Sequence, residues 1–376
     1  MRLAPVWQNA GMFETRSVAR TTLTAVCATA VVLGHLAGMP LRRVVWQHSP
    51  SVSLLAAESL IMTGTGMPEV TPEWMTLVSA NFIAPTAGAG YVATPVTTPA
   101  QFWPFTGADT MTLDQSTRLG SEILDTRLRA VIEANRAAGD AGDPVALFGY
   151  SQSAWIAAIE KQILASRSAG SDDLPPIDVV MLGNPIRPNG GLFARFPSAG
   201  VVTWTPVMSA PTDTPFRTYD IARQYDPFAD FPDDPSNALA VVNAAFGLMN
   251  HDYSAVTLNR DDPRYDPNTV VQQYGDTTYY LIPSKLPLLE PLRQGGFGQL
   301  ADALEPVLAP IVEAGYDRTT PYGQHTPASA GSVVVGDAGP RAAARTARAA
   351  RAPLSAAASR TAGPVHRTEK VGRSRR

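Results

Sequence analysis

The pentapeptide Gly149-Tyr150-Ser151-Gln152-Ser153 has the residue types and spacing best suited to chemistry in this chain. It follows the apolar run Val145–Phe148 and precedes a helical stretch over residues 154–167. A strand that turns sharply into a helix holds a serine in a strained, exposed position, provided that small neighbours let the two elements approach closely. We therefore interpret Ser151 as a nucleophile, although a serine replaces the second glycine of the usual G-x-S-x-G pattern.

A serine nucleophile needs a base to remove its proton and a third group to orient that base. The chain has five histidines. His35 and His48 lie in or just behind an apolar N-terminal segment, and His366 lies in a low-complexity tail. His251 follows a strand and an acidic loop, which gives the Ser, Asp, His order of an α/β-hydrolase. We expect His251 to be the base, with His325, at the edge of the tail, as the remaining candidate.

The orienting acid should end a strand between the serine and the histidine. Asp226 meets this requirement, because it closes the predicted strand Phe216–Gln224 and Pro227 forces the chain out of the sheet. Asp230, four residues later, is the close rival. Asp220 falls in the middle of the strand. We expect Asp226 to be the acid and leave Asp230 as the alternative.

The oxyanion of a tetrahedral intermediate needs fixed N–H donors. Gln152, directly after the nucleophile, supplies one from its backbone. A second donor normally comes from a loop after an earlier strand, and Thr65 between Gly64 and Gly66 suits that role. An ordinary glycine turn is the alternative interpretation. A phosphate-binding loop is excluded, because the lysine that such a loop requires is missing.

The elements around these residues alternate between strands and helices, which predicts an α/β fold with a mainly parallel sheet covered on both faces. Sites in such sheets form at the carboxyl ends of the strands, where Ser151, Thr65 and Asp226 are all expected. The predicted strands are Ser59–Met62, Val145–Phe148, Ile177–Leu182, Gly200–Pro206 and Phe216–Gln224, and the predicted helices are Met111–Arg136 and Ala154–Arg167.

The N-terminal residues 1–43 are typical of an export signal or a retained membrane anchor. Arg16 and Arg20 precede the apolar stretch Thr21–Ala37, which is the order of a basic region followed by a hydrophobic region. The only cysteine, Cys27, lies inside this stretch. Cysteine catalysis and cysteine-based zinc sites are therefore excluded for a mature domain over residues 44–327.

The C-terminal residues 328–376 are rich in Ala, Arg, Ser and Gly and contain no aromatic residue, which predicts a disordered tail. Ten basic residues against two acidic ones give this tail a net charge of +8, so residues 1–327 carry −11. A solvated, idle tail is one interpretation, and a tether to anionic lipid or envelope polymer is the other. Nucleic-acid binding is not expected, because the body is acidic and the tail lacks stacking residues.

Six short segments together form a specific pattern: Leu60–Gly66, Gly149–Ser153, Gly183–Gly191, Tyr225–Pro232, Thr278–Pro283 and Ala314–Arg318. In these segments the chain resembles the PE-PPE C-terminal domain family, cutinase-like serine hydrolases of mycobacterial-type actinobacteria. The resemblance implies an α/β-hydrolase fold, and it maps the serine, aspartate and histidine of the family onto Ser151, Asp226 and His251. We expect the export or anchor segment to stand in place of the PE or PPE helical module that often precedes this domain.

The resemblance implies esterase activity on lipid acyl esters, or acyl transfer to trehalose-type glycolipids of the envelope. Both reactions pass through an acyl-serine and need no metal or cofactor. A non-catalytic envelope-binding protein is a third interpretation, against which the intact Ser, Asp and His weigh. Apolar residues at helical spacing over Asn237–Met249, among them Phe246 and Leu248, predict a groove for the acyl chain, with simple core packing as the alternative.

Overall fold

The computed structural model describes residues 57–168, 174–196, 209–250 and 252–324, without the side chains of residues 249–250. The strands of this part are β1 Glu58–Ile61, β2 Val92–Pro95, β3 Val145–Tyr150, β4 Ile177–Leu182, β5 Arg217–Arg223, β6 Val270–Tyr274 and β7 Thr277–Ile282. They form one sheet in the order β2-β1-β3-β4-β5-β7-β6. Neighbouring strands are parallel except for the antiparallel pair of β6 and β7. The predicted mainly parallel α/β sheet is confirmed.

Helices cover both faces of the sheet, as predicted. Side chains along β1 and β3 alternate, so Leu60 and Leu147 pack on one face while Ile61 and Phe148 pack on the other. Both faces are apolar because parallel strands are buried on both sides. The helices are α1 Pro72–Val78, α2 Leu113–Ala138, α3 Gln152–Ser168, α4 Leu192–Arg195, α5 Ala238–Asn250, α6 Glu290–Gln294 and α7 Gly298–Glu313.

The first face packs against α2 and α3, and the second against α1, a π-helical turn at Ser79–Ile83 and the segment around Tyr253. Local sequence sets the bounds of α2. Thr112 caps its N-terminus in a reciprocal capping box with Gln115, and Gly139 ends it with a left-handed φ of 92°. These signals explain why the helix predicted at Met111–Arg136 lies within two residues of its observed position.

Several elements were not predicted from the sequence, each for a physical reason. The strand β2 is short and ends in Pro95, which is tolerated because β2 lies at the edge of the sheet. The strand β6 is mostly exposed and lacks a clear apolar alternation. Helix α7 contains Pro306 and Pro310, which normally argue against a helix.

No helix among the described residues is long and apolar enough to span a lipid bilayer. The predicted terminal segments 1–43 and 328–376 lie outside the described residues, as does the predicted strand Gly200–Pro206. These three therefore stay predictions.

Candidate active site

Ser151 forms a sharp turn between strand β3, which ends at Tyr150, and helix α3, which begins at Gln152. Its backbone φ is +54°, in the left-handed region that non-glycine residues rarely adopt. Such a conformation costs about 1–3 kcal/mol and persists only where the surrounding structure enforces it. Ser151 is half-buried, as is Tyr150 before it, whereas Gln152 after it is buried. This is the backbone geometry that a nucleophile elbow requires.

The residues flanking the elbow explain its close packing. A Cβ built on Gly149 would lie 2.1 Å from the backbone oxygen of Ser153, so only glycine fits at this position. The Ser153 side chain is fully buried, and its hydroxyl accepts a hydrogen bond from the Tyr150 N–H (2.7 Å) and donates one to the Tyr150 carbonyl (3.1 Å). The serine that replaces the second glycine of the usual pattern therefore closes the turn with its own hydrogen bonds.

Gln152, the first predicted oxyanion donor, is anchored by its side chain. Its Oε1 accepts a hydrogen bond from the Ser116 hydroxyl (3.0 Å), and its Nε2 donates to the Gln101 carbonyl (2.7 Å). The first N–H groups of a helix have no partner within the helix, which leaves the Gln152 N–H at the start of α3 available to a ligand. Because these hydrogen bonds hold the Gln152 side chain in place, the backbone N–H of Gln152 is fixed beside Ser151.

The turn that carries Thr65 lies beside the elbow. A Cβ built on Gly64 would lie 3.3 Å from the Cβ of Ser151 and 3.0 Å from the Tyr150 ring. The Gly66 N–H donates to the Ala100 carbonyl (2.7 Å), which ties this turn to the loop after β2. The structure thus brings the predicted second donor loop next to the predicted nucleophile.

Asp226 is buried at the turn after β5, with three donors on its carboxylate. Oδ1 accepts hydrogen bonds from the N–H groups of Phe228 (2.8 Å) and Ala229 (3.2 Å). Oδ2 accepts a hydrogen bond of 2.6 Å from the Tyr253 hydroxyl. No cation pairs with Asp226 among the described residues. Its negative charge is therefore held by neutral donors alone.

Asp230, the rival acid, has a different partner. Its two carboxylate oxygens accept a bidentate pair of hydrogen bonds from Arg318, at 2.6 and 2.9 Å. Oδ2 also accepts from the Tyr225 N–H (2.8 Å). A guanidinium in this geometry neutralises the carboxylate. Asp230 therefore fixes the backbone just before Asp226 and has its charge already compensated.

The carboxyl end of β4 connects the nucleophile to the acid. The Ser151 N–H donates to the Leu182 carbonyl (2.8 Å). A Cβ built on the next residue, Gly183, would lie 3.4 Å from Asp226 Oδ2. Ser151 and Asp226 therefore flank the same turn, as expected for strands that end at one edge of the sheet.

His251, the predicted base, lies outside the described residues. The residues that follow it are held against β5. The Arg223 guanidinium donates to the Asp252 carbonyl (2.6 Å), and the Arg223 N–H donates to the Tyr253 hydroxyl (3.1 Å). The assignment of His251 stays a prediction.

The profile of the PE-PPE domain matches residues 89–317. The chain belongs to the PE-PPE domain family. The matched range contains Ser151, Asp226 and His251, and it begins after the Thr65 turn.

This PE-PPE protein is 38% identical to "Esterase PE16" of Mycobacterium tuberculosis over 278 residues, which cover 72% of this chain and 51% of that protein. It is 28% identical to "SL1278 acyltransferase Chp1" of the same organism over 253 residues, covering 65% of this chain and 58% of the relative. The chain thus spans about half the length of these relatives. A solved cutinase-like protein from Cryptococcus aligns at 20% identity with a TM-score of 0.31, covering 46% of this chain and 79% of that chain.

Backbone strain in the PE-PPE domain is concentrated at the candidate site. Among the described residues, the non-glycine residues with positive φ are Ala100 (52°), Ser151 (54°) and Tyr225 (67°). Ala100 accepts the hydrogen bond that anchors the Thr65 turn, and Tyr225 precedes Asp226. Strained residues tend to cluster at functional sites.

No group of three or more His, Cys, Asp or Glu side chains suited to a metal ion occurs in the described part of the domain.

Phe246 and Leu248, the predicted acyl-binding residues, lie on α5. Leu248 is 45% exposed and Phe246 is half-buried. At 3.6 residues per turn, Phe246 and Leu248 lie about 160° apart around the helix, on either flank of the side that carries the buried Ala240 and Ala244. Ala240 packs in a cluster with α7. This arrangement fits core packing for one side of the helix. The acyl groove stays a prediction.

Two contributors to the site were missed by the sequence analysis. Tyr253 contacts Asp226 across 27 positions, and the Gln101 carbonyl receives the Gln152 side chain across 51. Neither residue belongs to a recognisable motif. The signal that could have indicated Tyr253 is its place two residues after the histidine candidate, in a segment otherwise expected to be a loop.

Proposed function

We propose that this protein is an exported serine hydrolase that acts on acyl esters of lipids through an acyl-Ser151 intermediate. The observation that carries the proposal is the strained elbow at Ser151, with the Thr65 turn and Asp226 on either side of it. Membership of the PE-PPE family and the similarity to a protein named as an esterase support it.

In the first half-reaction, His251 accepts the proton of the Ser151 hydroxyl while Oγ forms a bond to the ester carbonyl carbon. The carbonyl π electrons move to oxygen, and the N–H groups of Gln152 and Thr65 donate to this oxyanion. The intermediate collapses, the C–O bond of the ester breaks, and His251 returns its proton to the leaving alcohol. The product is an acyl ester of Ser151.

In the second half-reaction, water gives a proton to His251 and attacks the acyl carbon. Collapse of the new intermediate releases the carboxylic acid and restores the Ser151 hydroxyl. Asp226 supports both steps, because its uncompensated negative charge stabilises the imidazolium that forms twice in each cycle. Asp230 is less suited to this role, since Arg318 already neutralises it.

The test is the variant Ser151→Ala, assayed by p-nitrophenyl ester turnover and by labelling with a serine-directed phosphonate. Loss of the nucleophile should lower turnover on the order of 10⁴-fold or more and abolish labelling. Ser254→Ala is the matched control, because Ser254 is an exposed serine on the nearby segment and should react like the wild type. Equal labelling of the Ser151→Ala variant would contradict the nucleophile assignment.

Acyl transfer to a trehalose-type glycolipid is the second candidate, favoured by the similarity to a protein named as an acyltransferase. The acyl-Ser151 intermediate is common to both reactions, and a sugar hydroxyl replaces water in the second half. Consumption of an acyl donor should be measured with and without a trehalose-type acceptor, with products identified by mass. An acylated sugar as the main product would favour transfer, whereas free acid under both conditions would favour hydrolysis.

Export and envelope association form the remaining part of the proposal. Support comes from the basic and apolar composition of residues 1–43 and the net charge of +8 on residues 328–376. We expect the protein in the envelope fraction of the cell, with binding to anionic lipid weakened by salt. Recovery of the full-length protein only in the cytoplasmic fraction would contradict this part.

A further inference from the structure

Tyr253 connects the acid to both the sheet and the elbow. Its side chain is 4% exposed, and its hydroxyl donates to Asp226 Oδ2 (2.6 Å) while accepting from the Arg223 N–H (3.1 Å). Its ring packs edge-on against Tyr150, with centroids 5.6 Å apart. Burial, followed by the negative charge of Asp226, raises the pKa of Tyr253 well above its usual value. The hydroxyl therefore keeps its proton and donates it to the carboxylate.

With this hydrogen bond in place, three of the acceptor sites of the Asp226 carboxylate are occupied by described residues. An ionised carboxylate offers about four lone-pair sites. The N–H groups of Phe228 and Ala229 use the two sites on Oδ1, and Tyr253 uses one on Oδ2. The carboxylate cannot rotate without breaking these bonds. The one acceptor site without a donor from the described residues is on Oδ2.

None of the described charged groups around Tyr253 forms an ion pair with Asp226. The Arg223 guanidinium donates to the Asp252 carbonyl (2.6 Å) and to the Ser284 hydroxyl (3.3 Å). Asp252 itself caps the turn at Ser254 through its carboxylate. The neutral Tyr253 hydroxyl thus orients Asp226 without neutralising it, in contrast to the guanidinium that holds Asp230.

We propose that Tyr253 is a positioning residue that fixes the orientation of the Asp226 carboxylate for its role in the triad. The proposal rests on the proposed function, with Asp226 as the acid of the triad. Contact of the Tyr253 ring with Tyr150 also couples the acid turn to the residue just before the nucleophile. Loss of the hydroxyl should leave the fold and the substrate affinity in place and impair the chemical step.

Tyr253→Phe tests the proposal, because it removes the hydroxyl and keeps the ring. We expect kcat per folded molecule, with the folded fraction taken from circular dichroism, to fall roughly ten- to hundredfold, as for a lost hydrogen bond to a charged group, with KM nearly unchanged. Tyr91→Phe is the matched control. Tyr91 also donates its hydroxyl to an aspartate, Asp178 Oδ2 at 3.2 Å, away from the candidate site. Normalising kcat to the folded fraction prevents partial unfolding from imitating the effect.

The decisive arm repeats Tyr253→Phe in an Asp226→Asn background. A residue that acts through Asp226 should cause little further loss there, whereas a purely structural role would lower the rate by the same factor in both backgrounds. Equal factors in both backgrounds, or an unchanged kcat in Tyr253→Phe, would overturn the positioning role. A wild-type protein without turnover or Ser151 labelling would instead contradict the proposed function on which this role rests.

Discussion

Asp226 and Asp230 are four residues apart on one loop and are almost equally buried, yet their environments differ in charge. Arg318 holds Asp230 through two hydrogen bonds, and Glu313 pairs with the same guanidinium. Asp226 is held by two backbone N–H groups and a tyrosine hydroxyl. A carboxylate that is neutralised by a guanidinium stabilises a loop. A carboxylate that is held only by neutral donors can stabilise a cation that forms during a reaction. The comparison favours a structural role for Asp230 and supports the proposal that Asp226 is the catalytic acid.

The largest expected effect follows from exchanging each acid for its amide. Asp226→Asn should lower kcat on the order of 10⁴-fold, because the amide supports the wrong tautomer of the base. Asp230→Asn should change kcat per folded molecule far less. Steady-state ester hydrolysis by both variants, normalised to the folded fraction from circular dichroism, provides the measurement. The reverse ranking would give the catalytic role to Asp230.

Glu160 extends the comparison to a buried carboxylate that forms no ion pair with a described residue and lies near a second carboxylate, Asp125. Its two oxygens lack hydrogen-bond partners among the described residues, and burial, followed by the charge of Asp125, raises the pKa of Glu160 to about 8. At pH values between the ordinary pKa of a glutamate and about 8, the folded protein therefore binds more protons than the unfolded chain. The free energy of unfolding should fall as the pH rises through this window, by about 4 kcal/mol.

Glu160→Gln isolates this contribution, because the amide cannot ionise. Denaturant unfolding at pH 5 and pH 8 should show a smaller pH dependence for the variant than for the wild type. Glu133→Gln, an exposed position on α2, is the control and should follow the wild type. Identical pH dependence of the wild type and Glu160→Gln would contradict the raised pKa.

The structural role of Asp230 predicts a loss of stability. Asp230→Asn leaves Arg318 without its buried partner, which should lower the free energy of unfolding by about 3 kcal/mol. Residual pairing of Arg318 with Glu313 keeps the loss at the lower end of the usual range. Thermal or urea unfolding of Asp230→Asn and Asp226→Asn provides the measurement. Greater destabilisation by Asp226→Asn would contradict the contrast between the two acids.

The smallest effect concerns the acyl chain. If Leu248 and Phe246 line a groove, kcat/KM should rise with acyl length by roughly 0.8 kcal/mol per buried methylene until the groove is filled. Leu248→Ala and Phe246→Ala should flatten this rise. Val242→Ala is the control, because Val242 lies on the same helix and is 46% exposed against 45% for Leu248. A flat profile from acetate to palmitate would leave α5 with a packing role only.

The elements that local sequence specifies were predictable, and those that distant contacts specify were not. The elbow follows from Gly149, Ser151 and the apolar strand before them, and β4 was predicted with its observed bounds. The choice between Asp226 and Asp230 could not be settled from sequence, because it depends on Arg318, which lies 88 positions from Asp230. Tyr253 was missed for the same reason, since its contact with Asp226 exists only in the fold.

The central claim is that Ser151 is a nucleophile activated through Asp226. The most direct measurement is the rate and site of modification by a serine-directed phosphonate, followed by intact mass and peptide mapping. We expect one adduct per molecule on Ser151, formed at nearly the wild-type rate in folded Asp230→Asn and orders of magnitude more slowly in Asp226→Asn. An adduct on another residue, or equal rates in the two variants, would contradict the claim.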